Sequence, residues 1–478
     1  MTPRKLLSNM IVWSALLSKI KNTTKMKKYL FILFIVSLVA CAQQQKQISK
    51  TATLIMDVSI INVKNGSLSE NQQIVIDSGK IQSISSTIEN QERYTTRIDG
   101  SGKYVIPGLA EMHAHIPQPS TSKARIEEVL FLYLSNGITT IRGMLGHSSH
   151  LELREKATNN EIISPRIFTS SPSLNGNSVT NKEQAITKVT QYQKDGYDFL
   201  KIHPGIKLDV FDQVVKTANE VGIGFSGHVP VDVGIRHALK SKYESIDHID
   251  GFLEGLVSES ENVNPNDNGF FGYNFTPLAD TSKIDELVQL ADQNKVWIVP
   301  TQSLFERWFA PVSSEELLKA PEMKYMPGST LQNWKQRKDQ YPVEEAQWNQ
   351  FNTIRRQLLK KLQDNGGRIL LGSDAPQLFN VPGFSIHHEI DGMIKAGLTP
   401  LQVIQSGTIN PAIFLDKENT FGQIKEGLDA DIVILDTNPL EDIKALQQVS
   451  GVMVRGKWLP KEMIDKKLSE VAKNATNK

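Results

Sequence analysis

The chain has 478 residues, enough to bury a large core as one α/β barrel with additions or as roughly two to three domains. Its 53 Lys and Arg balance 52 Asp and Glu, and a net charge of +1 leaves no basic excess for nucleic acid or an anionic membrane surface. Apolar residues make up 39%, which fits a soluble globular enzyme better than a membrane protein or a disordered chain.

In chain order, the first signal is "MKKYLFILFIVSLVAC" (26–41), with a basic start, an apolar run from Tyr29 to Val36, and then Leu38-Val39-Ala40-Cys41. That is the layout of an export signal. The apolar run is too short to span a bilayer comfortably. The Leu-Val-Ala-Cys ending resembles the bacterial lipobox, which implies lipidation of Cys41 and an exported, envelope-anchored protein, periplasmic or at the outer membrane. Residues 1–41 are therefore read as the signal segment, with Met26 as its natural start, and 42–52 as a solvated tether. Cys41 is the only cysteine. Once it carries lipid, no disulfide or cysteine metal site remains.

Short β-like runs follow, "ATLIMDVSIINV" and "NQQIVIDSGKIQSIS", separated by an Asn-Gly turn signal. The far end answers with "FGQIKEGLDADIVILD" (421–436) and "VSGVMVRGKWL" (449–459). Each piece is too small to fold alone, so residues 53–106 and 417–465 are expected to build one composite β-sandwich, with 466–478 as a C-terminal tail.

Between them, eight strand-like runs alternate with helical patterns: "YVIPGLAEMHAH", "GITTIRGM", "RIFTSS", "DFLKIHP", "GIGFSGHV", "ESIDHID", "VWIVPT" and "RILLGSDA". Eight βα units predict an α/β fold of the (β/α)8 TIM-barrel type over 107–416, with its chemistry at the C-terminal strand ends. The spacing breaks over 252–350, where Phe270, Phe271, Tyr273, Phe305, Trp308, Phe309, Trp334 and Trp348 crowd together. Aromatics pack more often than they touch ligands, yet a long insertion at that face is a natural lid.

His113 and His115 close the first run, and the two-residue period of a strand points both imidazoles the same way. Alone, His-x-His is also what an exposed loop carries. However, His228 closes the fifth run, His248 lies in the sixth, Asp374 closes the eighth, and Lys201 sits within apolar Phe199-Leu200-Lys201-Ile202. A barrel brings these ends to one mouth, and imidazole with carboxylate is the ligand set of Zn2+ and similar ions. Arg142, His203 and His388 are weaker candidates for substrate contact. Structural pairing competes for Arg142 and a supporting role for His203, and His387 and Glu389 flank His388. His147, His150 and His237 read as surface residues.

Together "IPGLAEMHAH", "NGITTIRGM", "SPRIFTSSPSL", "DFLKIH", "GHVP", "SIDHIDG", "LLGSDA", "EIDGMIKAGLTPLQVIQSGTINPA" and "GQIKEGLDADIVILDTNPL" resemble the amidohydrolase superfamily, in particular its imidazolonepropionase-like and Xaa-Pro dipeptidase-like members. The resemblance covers about residues 52–460. It implies a metal-dependent hydrolase with a distorted barrel beside a β-sandwich. It implies that His113 and His115 hold a more buried metal and His228 and His248 a more exposed one. It further implies that Lys201 is carboxylated, bridging two Zn2+, and that Asp374 is the catalytic aspartate. Two positions depart from the pattern. Glu111 stands where aspartate is common two before the first histidine, and Gly143 follows Arg142 where aspartate is common.

Elementary chemistry runs the same way. A buried ammonium is costly and would be repelled by two cations, whereas addition of CO2 gives an anion with two oxygens. The competing reading keeps Lys201 neutral or ion-paired, with one metal on His113, His115, one of His228 and His248, and Asp374. Either site supplies hydroxide near neutral pH and polarises a carbonyl, with Asp374 as general acid/base. The expected function is cleavage of a C–N bond in a small amide, peptide or cyclic amide. Lactone or phosphoester hydrolysis at the same site is the alternative. A non-catalytic envelope binding protein is a third reading, against which the intact ligand set counts. The partner is a small molecule, with the membrane reached only through the lipid, and a homo-oligomer is left open.

Overall fold

The computed structural model describes residues 52–476, so Cys41, the signal segment and nearly all of the tether lie outside the described residues. Alternating apolar positions form five short strands: β1 (Thr53–Ile61), β2 (Leu68–Asp77), β3 (Lys80–Ser85), β4 (Thr96–Asp99) and β5 (Tyr104–Pro107). Ser78 and Gly79, both at positive φ, make the two-residue turn between β2 and β3. The run "YVIPGLAEMHAH" then divides at Gly108, where a Cβ would meet the Thr139 hydroxyl at 2.0 Å. Its second half is β6 (Leu109–Ala114), which starts a different sheet.

β6, β7 (Ile138–Gly143) and β8 (Arg166–Thr169) form one parallel sheet. β9 (Phe199–Ile202), β10 (Gly224–Gly227), β11 (Ser245–Asp247) and β12 (Trp297–Val299) form another. Helices between the strands cover their faces, which is why nearly every strand residue here is buried, the polar ones included. The helices Lys182–Asp195 and Leu208–Val221 end at left-handed Gly196 and Gly222, as their sequences predict.

The eighth predicted strand, 368–375, is not a regular strand. It meets β12 by a parallel bridge at Ile298–Ile369 and β6 by another at Ala114–Ala375. The segment leaving β8 likewise meets β9 only by the bridges Ser170–Phe199 and Leu174–Ile202. The expectation of one eight-stranded barrel therefore meets two separate parallel sheets linked by isolated bridges. Positive φ at Asp374 and the turn that follows it interrupt the regular pairing of the last segment.

The chain then returns to the first sheet with β13 (Ile432–Leu435), β14 (Val449–Val454) and β15 (Lys457–Pro460). β13 pairs antiparallel with β5, and the order is β15-β14-β13-β5-β1-β2-β3, with β4 beside β1. Strands from both ends of the chain thus share one sheet, where two facing sheets were expected. Register shifts in β1 around Val58 let the sheet curl. The bridge Lys80–Asp429 ties its β3 edge to the segment entering β13, and Ile55, Ile74, Ile432 and Met453 pack in one core.

The predicted tail needs correction. Lys461–Thr476 is an α-helix whose Ile464, Leu468, Val471 and Ala475 recur at helical spacing, three of them buried. Ile464 packs with Phe131, Leu134, Val452 and Leu459. Among the described residues no helix is long and apolar enough to cross a membrane. Ile464→Ala should lower unfolding free energy by about 2–5 kcal/mol in urea titration. A solvated tail would show almost no change.

Candidate metal and substrate site

His113 lies within β6 and His115 just beyond it, while His228 and His248 directly follow β10 and β11. Their rings make a continuous chain. Centroids are 5.3 Å apart from His115 to His113, 4.6 Å from His113 to His248, and 4.7 Å from His248 to His228, and His203 extends it at 5.0 Å. Asp374 enters from the eighth segment, with Oδ1 2.7 Å from His115 Nε2 and 3.5 Å from His113 Nε2. One ligand atom each from His113, His248 and Asp374 lie within 4.8 Å of one another. This trio takes one histidine from each of the two expected pairs. Burial pushes the Asp374 carboxyl up, but His113, His115 and Lys201 outweigh it and hold it below its ordinary range.

Beneath this cluster sits a carboxylate that motif reading passed over. Asp247 is fully buried, the residue before His248. Lys201 Nζ donates to its Oδ2 at 3.2 Å, and His113 Nδ1 lies 3.3 Å from the same oxygen. Arg142 Nη2 donates to Oδ1 at 3.1 Å. The "SIDHID" run placed an acid beside His248, and that was the available signal. Lys201 itself has no exposed surface, and burial pushes its pKa down, with Asp247 and Asp374 pulling it back up. Room for its stem comes from Gly227, at φ 132°, where a Cβ would meet Ile202 O at 2.3 Å and Lys201 Cδ at 3.1 Å.

Each outer ring nitrogen is held by the protein. His248 Nδ1 pairs with Thr301 Oγ1 at 2.8 Å, His228 Nδ1 with Asp250 Oδ2 at 3.0 Å, and His203 Nδ1 with Ser173 Oγ at 2.6 Å. Partners of this kind fix ring orientation and leave the other nitrogen for a ligand. His113 Nδ1 is buried without a hydrogen bond, and burial, with Lys201 nearby, lowers the His113 pKa to about 4. Imidazoles facing one carboxylate are a donor set that suits a divalent cation.

Several expected substrate contacts are corrected. Arg142 is fully buried and also donates to Met112 O and Ser245 Oγ, so it faces Asp247 and not a ligand. His388 pairs with Glu322 Oε1 at 2.8 Å and does not line the cavity at the histidines. His387 pairs with Asn136 at 3.0 Å, and Glu389 accepts from Ser303 N. His203 does line the cavity. Glu111 lies under the site, accepting from His113 N, Ser373 N and Ser373 Oγ, and burial raises its pKa to about 8. His150, expected at the surface, is buried, whereas His237 is exposed against Asp212.

The histidines open into a cavity of about 960 Å3. Phe270, Phe271, Tyr273, Trp308, Phe309 and Tyr341 from the insertion line it, and Phe271 stands 5.1 Å from His248. Phe305 and Trp334 instead pack against Arg355 and Phe379.

Residues 104–459 match the profile of the amidohydrolase family. The chain is 22% identical to ochratoxinase of Aspergillus niger over 424 residues, covering 80% of this chain and 81% of the relative. It is 37% identical to imidazolonepropionase of Treponema denticola over 82 residues, 16% of this chain and 19% of the relative. Among solved structures, a bottromycin amidohydrolase aligns with TM-score 0.67 at 20% identity, covering 92% of this chain and 93% of that one. A Xaa-Pro dipeptidase with bound methionine in the active site aligns with TM-score 0.60 at 20% identity, covering 86% and 100%. At these identities the structural likeness speaks to fold.

Asp247→Asn keeps the shape and removes the charge that faces buried Arg142. Losing one partner of a buried pair costs about 3–5 kcal/mol. The urea midpoint of chelator-treated protein should therefore fall, and an unchanged midpoint would remove Asp247 from this role.

Proposed function

The chain belongs to the amidohydrolase family, and on that footing we propose that it is a metal-dependent hydrolase cleaving the C–N bond of a small amide, peptide or cyclic amide. The observation that carries this reading is the convergence of His113, His248 and Asp374 within 4.8 Å. His115, His228 and Lys201 complete the proposed ligand set, with Zn2+ as the proposed ion and carboxylated Lys201 as the bridge between two of them. A bound divalent ion would supply a water of near-neutral pKa and polarise the substrate carbonyl.

The chain's own residues do the rest. Asp374 takes a proton from the attacking water and returns it to the leaving nitrogen, so that OH ends on the carbonyl carbon and H on nitrogen as the C–N bond breaks. His115 Nε2, 2.7 Å away, keeps that carboxylate oriented. The downward shift of Lys201 favours the neutral amine that adds CO2. Residues 252–295 and 302–350 act as the cover that limits substrate size. The export-signal layout of residues 26–41 and its ending at Cys41 support a lipid anchor in the cell envelope.

Elemental analysis of purified protein should find close to two divalent ions per chain, and His113→Ala should lose metal and activity together. Asp374→Asn should retain at least one ion while turnover drops by roughly 10²–10⁴-fold. Lys201→Ala should lose the bridge, with acetate or propionate restoring part of the activity. One ion per chain, unchanged in Lys201→Ala, would leave only a mononuclear site. Dipeptides, N-acyl amino acids, cyclic amides and lactones form the substrate panel, and a preference for lactones would overturn the C–N assignment. Separately, Cys41→Ala should release the protein from the membrane fraction, and an unmodified Cys41 on correctly located protein would end the anchor reading.

A further inference from the structure

The cavity wall is chemically uneven. Beyond the histidines and Asp374, its lining among the described residues holds one charged side chain, Arg337, on the helix Gly328–Asp339 of the insertion. Arg337 is exposed, and among the described residues no carboxylate is in ion-pair contact with its guanidinium. Its helix neighbours behave differently. Lys335 is engaged by Glu315 and Asp339, and Lys338 is buried on the carbonyls of Trp308 and Ala310. Around Arg337 the wall is aromatic: Tyr341 follows four residues later, and Phe270, Tyr273, Trp308 and Phe309 continue towards the histidines.

The aromatic rings there pack in a connected group, two of the pairs edge to face and one tilted. Phe270 lies 4.8 Å from Trp308 and 4.7 Å from Phe309, and Tyr273 lies 4.9 Å from Phe309. A rigid apolar wall of this kind gives contact area at small entropic cost. A lone guanidinium beside it offers paired N–H donors shaped for a carboxylate. The volume, about 960 Å3, is at the upper end for a drug-sized ligand and ample for more than a bare dipeptide.

We propose that the substrate is an anionic amide with a bulky apolar group, an N-acyl amino acid in type, whose free carboxylate is received by Arg337 while its apolar body lies on the Phe270–Phe309 wall. This deepens the hydrolase reading and rests on it for the chemistry, but the binding claim stands on Arg337 and the wall alone. Arg337 is a specificity residue here. It takes no part in bond cleavage.

The test compares N-benzoyl-leucine with its C-terminal amide, N-benzoyl-leucinamide, and with N-acetyl-leucine. Affinity is measured by calorimetry on the full chain after chelator treatment, so that a metal cannot capture the carboxylate. Wild-type protein should bind N-benzoyl-leucine at least ten-fold tighter than either comparison probe. Arg337→Met, a change at an exposed position, should weaken the acid about ten-fold and leave the amide unchanged, whereas Arg337→Lys should retain part of the preference. Equal binding of acid and amide, a preference that survives Arg337→Met, or no binding up to the solubility limit would each overturn the proposal. Metal-loaded protein is then assayed for hydrolysis of the same probes. Arg337-dependent binding without cleavage of any amide would sink the hydrolase reading and spare this one. Cleavage indifferent to Arg337 would do the reverse.

Discussion

A single buried carboxylate organises the centre of this molecule. Asp247 has no exposed surface, yet it faces Arg142, Lys201 and His113 at once. Burying an anion in a protein interior is tolerable only when cations and hydrogen bonds replace its water. Here they come from three different strands, β6, β7 and β9, with Ser245 on β11 adding a hydroxyl. The pairing therefore works as a lock between two sheets that share no continuous ladder. Burial still raises the cost of the charged form, but Lys201, His113 and Arg142 hold the Asp247 carboxyl well below its ordinary range.

That lock sets what lies above it. Lys201 is drawn to Asp247 without a carboxylate of its own on the cavity side, and His113 is presented with one ring nitrogen downward and the other towards Asp374. The remaining imidazoles are held from outside by Thr301, Asp250 and Ser173. The result is a ring of imidazole donors whose orientation is fixed before any ligand arrives. Preorganisation of this kind is what makes a site selective and effective. The same partners explain why the site needs whole strands and cannot be carried by a short motif.

Much of this was legible from residue order alone. The alternation and burial signatures of seven strands, the Gly stops of two helices, and the placement of His113, His115 and His228 at strand ends all follow from local pattern. His248, expected inside the sixth strand, instead directly follows it. Other features were invisible for physical reasons. The division at Gly108 comes from a contact with Thr139, far along the chain. The eighth segment reads as a strand in sequence, yet it pairs only through isolated bridges at Ile369 and Ala375, and Asp374 holds positive φ. Asp247 shares its run with two other charged or titratable residues, and only three-dimensional packing shows that it turns inward. The final helix has a clear apolar repeat at Ile464, Leu468, Val471 and Ala475. Exposed charged residues interrupt that repeat along the sequence, so the apolar face emerges only at helical spacing.

One further connection joins the insertion to the site. His248 and Thr301 both hold positive φ, 66° and 45°, a conformation costly for residues with a Cβ. Arg355, buried on the insertion helix Glu345–Asp364, donates to His248 O at 2.8 Å and to Pro300 O at 3.1 Å. Its guanidinium lies 3.4 Å from the centre of the Phe305 ring. The two carbonyls belong to turns that leave β11 and β12, where strand pairing has ended and a backbone acceptor would otherwise be buried unpaired. Arg355 thus satisfies the turns that aim His248, and it does so from the helix that follows the cavity-lining segment. The turn that aims His248 therefore shares one buried cation with Phe305, whose ring packs against cavity-lining Phe270 and Phe271.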